Sequence, residues 1–252
     1  MFDAEKVTNE IVEFVRNYFK TNNIKGCVIG ISGGKDSAVC AGLMVRAIGK
    51  DNVIGVTMPC HSNNSDMEDA KLISDYYGFE LINAPLTDVF DEFKKSISIN
   101  YSDSDVKNSD INLKPRLRMS MLYYLAALYS SIKKGTYLVC GTSNKCELYT
   151  GYFTKGGDSV HDISLLSDLS VSEVISVGEY LDVPKKVLYK TPSDGISGYS
   201  DEDKLGVKYS DIEKYLNNEK IDENIKTKIE KLHNNNLHKF NIPSYKKGNY
   251  EK

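Results

Sequence analysis

Val28-Ile29-Gly30-Ile31-Ser32-Gly33-Gly34-Lys35-Asp36-Ser37 is an apolar run that ends abruptly in small residues and then enters a helical pattern. The pattern predicts a buried strand over Val28–Ile31, a turn over Ser32–Gly34 and a helix that begins near Ser37. The first N–H groups of such a helix, together with its positive dipole end, face whatever lies above the turn. The stretch therefore predicts an anion site at the carboxyl end of a strand.

The residue types in this turn indicate phosphate and a divalent cation. Gly33 and Gly34 lack Cβ atoms, so backbone amides can approach phosphate oxygens closely, and Ser32 and Ser37 add hydroxyls. A carboxylate such as that of Asp36 repels phosphates unless a cation lies between them, so we expect Mg²⁺ as the bridge. The turn matches neither the Walker pattern nor the dinucleotide pattern G-x-G-x-x-G.

Ser-Gly-Gly-Lys-Asp-Ser, residues 32–37, resembles the pyrophosphate loop of the ATP pyrophosphatases. Those enzymes cleave ATP to AMP and pyrophosphate by adenylating an oxygen of their substrate. The alternative is a glycine-rich turn between strand and helix that binds no ligand. A six-residue match in the required strand-to-helix context favours the phosphate site.

Composition limits the classes of protein to consider. A chain of 252 residues with 40% hydrophobic content is large enough for one α/β domain, which we predict over residues 1–252. The net charge of −3 and the pI of about 5.9 argue against nucleic acid as a partner. No apolar run approaches the ~18 residues that a membrane span needs, and residues 1–6 do not resemble a signal peptide, so we expect a cytoplasmic protein without a membrane partner. Five cysteines without C-x-x-C spacing predict reduced core thiols.

The order of elements predicts a doubly wound parallel sheet with helices on both faces, of the adenine nucleotide alpha-hydrolase type. Helical spacing marks residues 7–19, 37–44, 66–77, 89–93, 119–132 and 174–181, and strands are predicted over residues 27–31, 53–58, 79–82 and 137–140. Residues 98–112 are rich in Ser, Asn and Asp and predict a surface loop. Such sheets bind ligands at the carboxyl ends of their strands, where the loop at residues 32–37 lies.

Two further stretches carry chemical groups. Gly-Thr-Ser-Asn-Lys-Cys-Glu, residues 141–147, follows the fourth strand directly, so Glu147 could complete a metal shell begun by Asp36. A solvated glutamate that interacts with a helix dipole is the alternative, and the spacing alone favours it. Residues 151–162 combine aromatic side chains, glycines, Lys155 and two aspartates, which suits either an ordinary turn or a site for sugar hydroxyls and phosphate.

Taken together, these motifs resemble those of ammonia-dependent NAD synthetases, which are members of the ATP pyrophosphatase group. The matching segments occur in the family's order between residues 26 and 245: residues 32–37, Pro-Arg-Leu-Arg-Met at 115–119 before a predicted helix, residues 141–147, Gly-Tyr-Phe-Thr-Lys-Gly-Gly-Asp at 151–158, Thr-Pro-Ser-Asp-Gly at 191–195, Asp-Glu-Asp-Lys-Leu-Gly at 201–206 and His-Lys at 238–239. Other enzymes with a pyrophosphate loop share only the first of these segments.

The resemblance implies a role for each matching residue. Those implied to bind ATP are Gly30, Ile31, Ser32, Gly33, Gly34, Lys35, Asp36, Ser37, Thr142 and Ser193. Those implied to bind deamido-NAD are Arg116, Lys155, Asp162, His238 and Lys239. Asp36 and Glu147 are implied to bind Mg²⁺, and Asp36, Ser37 and Lys155 are implied to be catalytic. Two positions depart from the family pattern, because Val171 and Phe240 stand where many relatives carry Lys and Arg.

The reaction implied is the ATP-dependent amidation of deamido-NAD to NAD, the final step of NAD biosynthesis, in a homodimer. It runs through an acyl adenylate with release of pyrophosphate and then AMP. Glutamine-dependent relatives carry a separate amidase domain with a cysteine nucleophile, and neither Cys60 nor Cys146 has such a setting, so free ammonia is the expected nitrogen source. Two alternatives remain: an RNA-modifying enzyme with the same loop, which would need a basic RNA-binding region, and a nucleotide-binding regulatory protein without turnover.

Overall fold

The computed structural model describes residues 2–62, 64–190 and 200–245. A five-stranded sheet lies at its centre, formed by β1 (Ile24–Gly30), β2 (Val53–Thr57), β3 (Glu80–Asn83), β4 (Thr136–Gly141) and β5 (Ile163–Ser164). The strand order is β3-β2-β1-β4-β5, and every neighbouring pair is parallel. The predicted parallel sheet is therefore confirmed.

Helices connect and flank the strands. Their bounds are α1 Ala4–Thr21, α2 Lys35–Ile48, α3 Asn64–Tyr77, α4 Thr87–Lys95, α5 Asp103–Lys133, α6 Lys145–Thr150, α7 Val171–Tyr180, α8 Lys185–Leu188, α9 Asp201–Leu205, α10 Tyr209–Leu216 and α11 Glu223–Phe240, with a short 3₁₀ turn at Lys50–Asn52. None of the helices in the described part of the chain combines the length and the apolar character that a membrane crossing needs.

Both faces of the sheet are covered, as the alternation of side chains along β1 requires. Cys27 and Ile29 belong to a core cluster with residues of α1, α2, α3, α7 and α8. Val28, one step out of phase, belongs to a second cluster in which Leu125 and Ala126 of α5 cover the opposite face. The doubly wound arrangement is thus confirmed by the packing as well as by the strand order.

The order in which strands are added to the sheet reverses after β3, and β1 is the starting point for both directions. From there the chain builds outward to β2 and β3 on one side, and later places β4 and β5 on the other. In such sheets a crevice opens at the carboxyl ends of the two strands where the order reverses, which here are β1 and β4. The loops at residues 31–34 and 142–144 leave these two strands. The fold thus brings two of the sequence motifs to one crevice.

The surface loop predicted over residues 98–112 is wrong from residue 103 onward. Helix α5 already begins at Asp103, so the segment 115–119 lies inside this helix and not before one. Leu113 and Leu117 pack against the buried cluster of Cys60, Leu86 and Phe90. Apolar contact stabilises the helix there although Ser and Asn are weak helix formers and Pro115 removes one backbone donor.

Smaller differences concern element ends. The fifth strand was not predicted, because its two residues are recognised only by pairing with Cys140 and Gly141 of β4. Helix α2 begins at Lys35 and not near Ser37, so Lys35 and Asp36 lie in its first turn. All five cysteines are buried and free, which confirms the prediction of reduced core thiols.

Candidate active site

The pyrophosphate loop, residues 31–34, is held in shape by its own serines. The hydroxyl of Ser37 donates to the carbonyl of Gly34 at 3.0 Å and accepts from the amide of Ser32 at 3.2 Å. The amide of Gly34 donates to the hydroxyl of Ser32 at 3.3 Å. Gly33 adopts φ +77°, a conformation that favours glycine. These bonds hold the loop in its turn.

The same loop presents backbone donors to the crevice. Within the described residues, the amides of Gly33, Lys35 and Asp36 have no hydrogen-bond acceptor. The last two lie in the first turn of α2, where the helix dipole is positive. Donors and dipole together form an anion site, as the sequence predicted.

Two carboxylates approach each other across the crevice. Asp36 lies on α2, after β1, and Glu147 lies on α6, after β4. Asn144 bridges the two elements: its side-chain amide donates to Oδ1 of Asp36 at 3.2 Å, and its backbone amide donates to Oε2 of Glu147 at 3.0 Å. Burial, followed by the charge of Asp36, raises the pKa of Glu147 to about 8. The two acids therefore form one electrostatic unit.

The acidic pair fits a magnesium ion that keeps several ligands of its own. Burial is the largest cause of the raised pKa of Glu147, and the charge of Asp36 adds to it, so a cation placed between the two carboxylates would favour their ionised forms. Among the described residues, no group of three or more His, Cys, Asp and Glu side chains is placed to hold a metal. Mg²⁺ commonly uses one or two carboxylates plus water and phosphate oxygens, so Asp36 and Glu147 suffice. Glu147 also belongs to the capping box of α6 with Asn144, so it does lie at a helix start, but it is not the solvated glutamate that the spacing favours, because burial raises its pKa.

A cleft of about 1400 Å³ extends from this point. Of the residues implied to bind ATP or metal, Gly30, Ile31, Ser32, Gly33, Gly34, Lys35, Asp36, Ser37, Thr142 and Glu147 all line it. One face of α5 and the loop at residues 150–161 form the far wall. Ser193 lies outside the described residues. The cleft therefore brings together the phosphate loop, the acidic pair and Thr142.

Three residues implied to bind deamido-NAD, Arg116, Lys155 and His238, form a chain of contacts beside the cleft. The Arg116 guanidinium donates to the carbonyl of Lys155 at 3.3 and 3.2 Å. The Lys155 ammonium donates in turn to the carbonyl of His238 at 2.6 Å. None of the three is among the residues that line the cleft. The side chains of Arg116 and Lys155 thus join α5, the loop at residues 151–162 and the end of α11 at an exposed rim.

The other two residues implied to bind deamido-NAD, Asp162 and Lys239, make hydrogen bonds within the protein. Lys239 lines the cleft, and its ammonium donates to the carbonyls of Gly151 and Phe153 at 2.7 Å. Asp162 does not line the cleft. One of its carboxylate oxygens accepts from the amide of Val139 at 2.8 Å, and the other accepts from the hydroxyl of Tyr123 at 3.0 Å. These bonds fasten the loop at residues 151–162 to the sheet and to α11.

The two departures from the family pattern are filled by apolar contacts. Val171, the first residue of α7, packs into a cluster with the buried Cys146. The ring of Phe240 lies edge to face with Phe153, with 5.1 Å between the ring centroids. Neither residue supplies a cation at its position.

Sequence reasoning assigned no role to several polar residues that line the cleft. The half-buried Arg118 donates from Nε to the carbonyl of Met58 at 3.3 Å, and burial lowers the pKa of its guanidinium. Lys190 lies within 2.8 Å of Asp66 and 2.7 Å of Asp69. Asp201 accepts from the hydroxyl of Tyr152 at 3.1 Å and raises the pKa of Glu147. A residue's position in the sequence does not reveal that its side chain faces a cleft, although residues 115–119 and 201–206 had already marked two of the segments.

The fold and the site define a class of protein. A parallel sheet with its reversal at β1 and β4, a glycine-rich loop of free amides and an acidic pair form the phosphate site of a nucleotide-binding α/β protein with a pyrophosphate loop.

Comparison with known proteins gives the family. The family model described as NAD synthase matches residues 7–247, and the chain belongs to this family. The NH(3)-dependent NAD(+) synthetase of Methanococcus aeolicus is 42% identical over 216 residues, which are 85% of this chain and 82% of the relative. The structure of NMN synthetase from Francisella tularensis has a TM-score of 0.88 and 32% identity, over 98% of this chain and 100% of that one. The NH3-dependent NAD synthetase of Campylobacter jejuni has a TM-score of 0.77 and 29% identity, over 98% and 100% of the two chains.

Proposed function

We propose that this chain catalyses the ATP-dependent amidation of deamido-NAD to NAD with free ammonia. The observation that carries the proposal is the joining, at one crevice, of free loop amides, the positive end of α2 and the pair Asp36 and Glu147. Membership of the NAD synthase family supports the substrate. Relatives named as ammonia-dependent support the nitrogen source.

The chemistry requires ATP because a carboxylate is a poor acyl donor. Direct displacement by ammonia would expel oxide. Attack by a nicotinate carboxylate oxygen on the α-phosphorus forms a P–O bond, breaks the bond to the β-phosphate and releases pyrophosphate. Ammonia then attacks the acyl carbon and AMP leaves. The first step needs no general base, because its nucleophile is already ionised.

The protein's main task in this scheme is electrostatic. The free amides at Gly33, Lys35 and Asp36 and the dipole of α2 bind the pyrophosphate as its negative charge develops. Ser32 and Ser37 fix the shape of the loop, so little reorganisation is needed at the moment of reaction. Thr142, on the opposite side of the crevice, is assigned to ATP. Asp36 and Glu147 would hold Mg²⁺, which, when bound, screens the phosphate charges from the carboxylates.

The dinucleotide side is assigned to the exposed rim formed by Arg116, Lys155 and His238. Their carbonyl contacts leave guanidinium and ammonium donors at the surface, where a second copy of the chain can complete a site. A homodimer is part of the proposal, supported by an exposed apolar stripe on α5 in which Tyr124, Leu128 and Ile132 are 65%, 39% and 59% exposed. We also propose that residues 1–252 form one domain and that the protein is cytoplasmic.

One comparison supports a second candidate for the carboxylate substrate. The structure with a TM-score of 0.88 is named an NMN synthetase, which makes nicotinate mononucleotide a rival carboxylate for the same chemistry. Its carboxylate would attack the same α-phosphorus of ATP, but the mononucleotide would leave the more distant part of the dinucleotide site empty. Competition between the two carboxylates therefore belongs in every test of the substrate.

The test is the exchange of labelled pyrophosphate into ATP. We expect exchange that depends on deamido-NAD and Mg²⁺ and that needs no ammonia, because only the first step is reversed. Faster exchange with nicotinate mononucleotide, compared as kcat/KM, would assign the chain to the mononucleotide. Exchange with neither carboxylate would refute the proposed function and favour a binding protein or a different acceptor.

The nitrogen source is tested by complete turnover. We expect NAD with ammonium salts, at a rate that rises with pH as more NH₃ becomes available, and none with glutamine alone. Equal rates with glutamine and ammonium at the same concentration, in a preparation free of glutaminase, would contradict the assignment of ammonia.

A further inference from the structure

Lys35 is a buried cation at an unfavourable place. It is the first residue of α2, and its side chain is only 6% exposed. Lysine is almost never buried unless it is paired, and the amino end of a helix repels a positive charge. The charge of Lys35 therefore requires an anionic partner at all times.

The partner in this structure is the carboxylate assigned to the metal. The ammonium of Lys35 lies 2.8 Å from Oδ2 of Asp36, while Oδ1 of Asp36 accepts from Asn144. Both oxygens of Asp36 are thus already bonded within the protein. Burial by itself lowers the pKa of Lys35, but the carboxylates of Asp36, Glu147 and Asp201 outweigh burial and raise it. The ammonium consequently lies within the negative field of the whole acidic group.

A divalent cation and Lys35 compete for the same oxygen. A cation that binds Oδ2 of Asp36 removes the closest partner of Lys35 and adds positive charge nearby. An unpaired ammonium in a buried site is strongly unfavourable. This cost is relieved when an anion enters together with the cation, and the anion site of the loop at residues 31–34 adjoins Lys35.

We propose that Lys35 is an internal countercharge that occupies Asp36 in the absence of nucleotide and transfers to the polyphosphate when ATP enters with its cation. Lys35 thereby couples cation binding to polyphosphate binding, so the acidic pair binds metal poorly alone and well together with phosphate. After the transfer, the ammonium of Lys35 adds to the charge that stabilises departing pyrophosphate. The inference rests on the proposed function for the assignment of Asp36 to metal, and it adds a role for Lys35 in the order of binding.

The test measures metal binding without turnover. Mn²⁺ is titrated into the full-length protein and followed by electron paramagnetic resonance, first alone and then with inorganic pyrophosphate. In Lys35→Met we expect Mn²⁺ alone to bind at least tenfold more tightly than in the wild-type protein. We expect pyrophosphate, in the presence of Mn²⁺, to bind about ten- to a hundredfold more weakly, as for the loss of one charge-assisted contact.

Two variants control the measurement. Lys71→Met removes an exposed lysine that is paired with Asp75 on α3, and it should behave as the wild-type protein in both titrations. Lys35→Arg retains the charge and should keep the weak binding of Mn²⁺ alone. If Lys35→Met does not fold, as judged by circular dichroism, Lys35→Gln takes its place with the same expected changes.

Equal affinity for Mn²⁺ alone in the wild-type protein and in the neutral variants would overturn the inference. So would unchanged binding of pyrophosphate. Failure of the proposed function is a separate outcome, because it appears as absent pyrophosphate exchange in the wild-type protein and leaves the two titrations interpretable.

Discussion

Gly33→Ala tests how closely the phosphate loop is fitted to the rest of the fold. Gly33 has φ +77°, and a Cβ atom built there would lie 2.5 Å from the carbonyl oxygen of Asp66 in α3. The left-handed conformation costs an alanine about 1–2 kcal/mol. Relief of the contact requires the loop or the first turn of α3 to move, and such overpacking costs about 1–3 kcal/mol.

The expected loss is visible in thermal unfolding. The two costs together are about 2–5 kcal/mol, and for a chain of this size each kcal/mol lowers Tm by roughly 2–4 °C, so we expect Gly33→Ala to lower Tm by roughly 4–20 °C. We also expect ATP to bind at least tenfold more weakly by calorimetry, because displacement of the Gly33 amide removes one donor from the anion site. Both measurements use the same preparation, and circular dichroism confirms that the variant is folded.

Gly49→Ala is the matched control. Gly49 has φ +82° but has open space around its Cβ position, and it does not line the cleft. It should lose stability through backbone strain alone and should bind ATP as the wild-type protein does. If Gly33→Ala lost no more stability than Gly49→Ala and bound ATP normally, the reasoning about the fit between the loop and α3 would be refuted.

Asp36→Asn should still fold, although at reduced stability because buried Lys35 loses its closest carboxylate, and should lose most pyrophosphate exchange because a charge is removed from the metal site while size is conserved; wild-type rates at saturating Mg²⁺ would contradict the metal assignment. Arg116→Ala and Lys155→Ala should weaken deamido-NAD about ten- to a hundredfold by calorimetry and leave ATP nearly unchanged; an equal loss for both ligands would disprove the separation of the two sides. Burial raises the pKa of Asp69, but the ion pairs with Lys186 and Lys190 outweigh burial, so the pKa is lower in the folded protein than in the unfolded chain. The ionised carboxylate therefore stabilises the fold above its unfolded pKa of about 3.9, and this stabilisation is lost as the pH falls through the lower folded pKa. Asp69→Asn should therefore lower the free energy of unfolding, measured in urea at pH 7, by about 1–3 kcal/mol, and this free energy should then decrease less steeply as the pH is lowered. An unchanged dependence on pH in acid would show that the ion pairs of Asp69 contribute nothing.

The parts of the fold that sequence predicts well are those with a strong local signal. The strand before the phosphate loop was predicted because residues 27–31 are continuously apolar and are followed at once by glycines. The parallel order followed from the alternation of strands and helices. Glu147 was located at the crevice because it follows a predicted strand by only a few residues.

The parts that sequence missed depend on tertiary contact. The first turns of α5 contain Ser, Asn and Asp, and tertiary contacts hold this end of the helix: Asp110 pairs with Lys94 of α4, and the next turns pack Leu113 and Leu117 against the cluster with Phe90. The strand at Ile163–Ser164 exists only through its pairing with β4. The pairing of Lys35 with Asp36 was equally hidden, since sequence alone does not distinguish a buried lysine from a solvated one.

The fate of one oxygen atom tests the central claim most directly. Deamido-NAD labelled with ¹⁸O in its nicotinate carboxylate is turned over with unlabelled ATP and ammonium, and AMP, pyrophosphate and NAD are analysed by mass spectrometry. Adenylation of the carboxylate predicts that one ¹⁸O is transferred to AMP, that pyrophosphate is unlabelled and that NAD retains the other oxygen. Unlabelled AMP formed together with NAD, or ADP and phosphate in place of AMP and pyrophosphate, would contradict it.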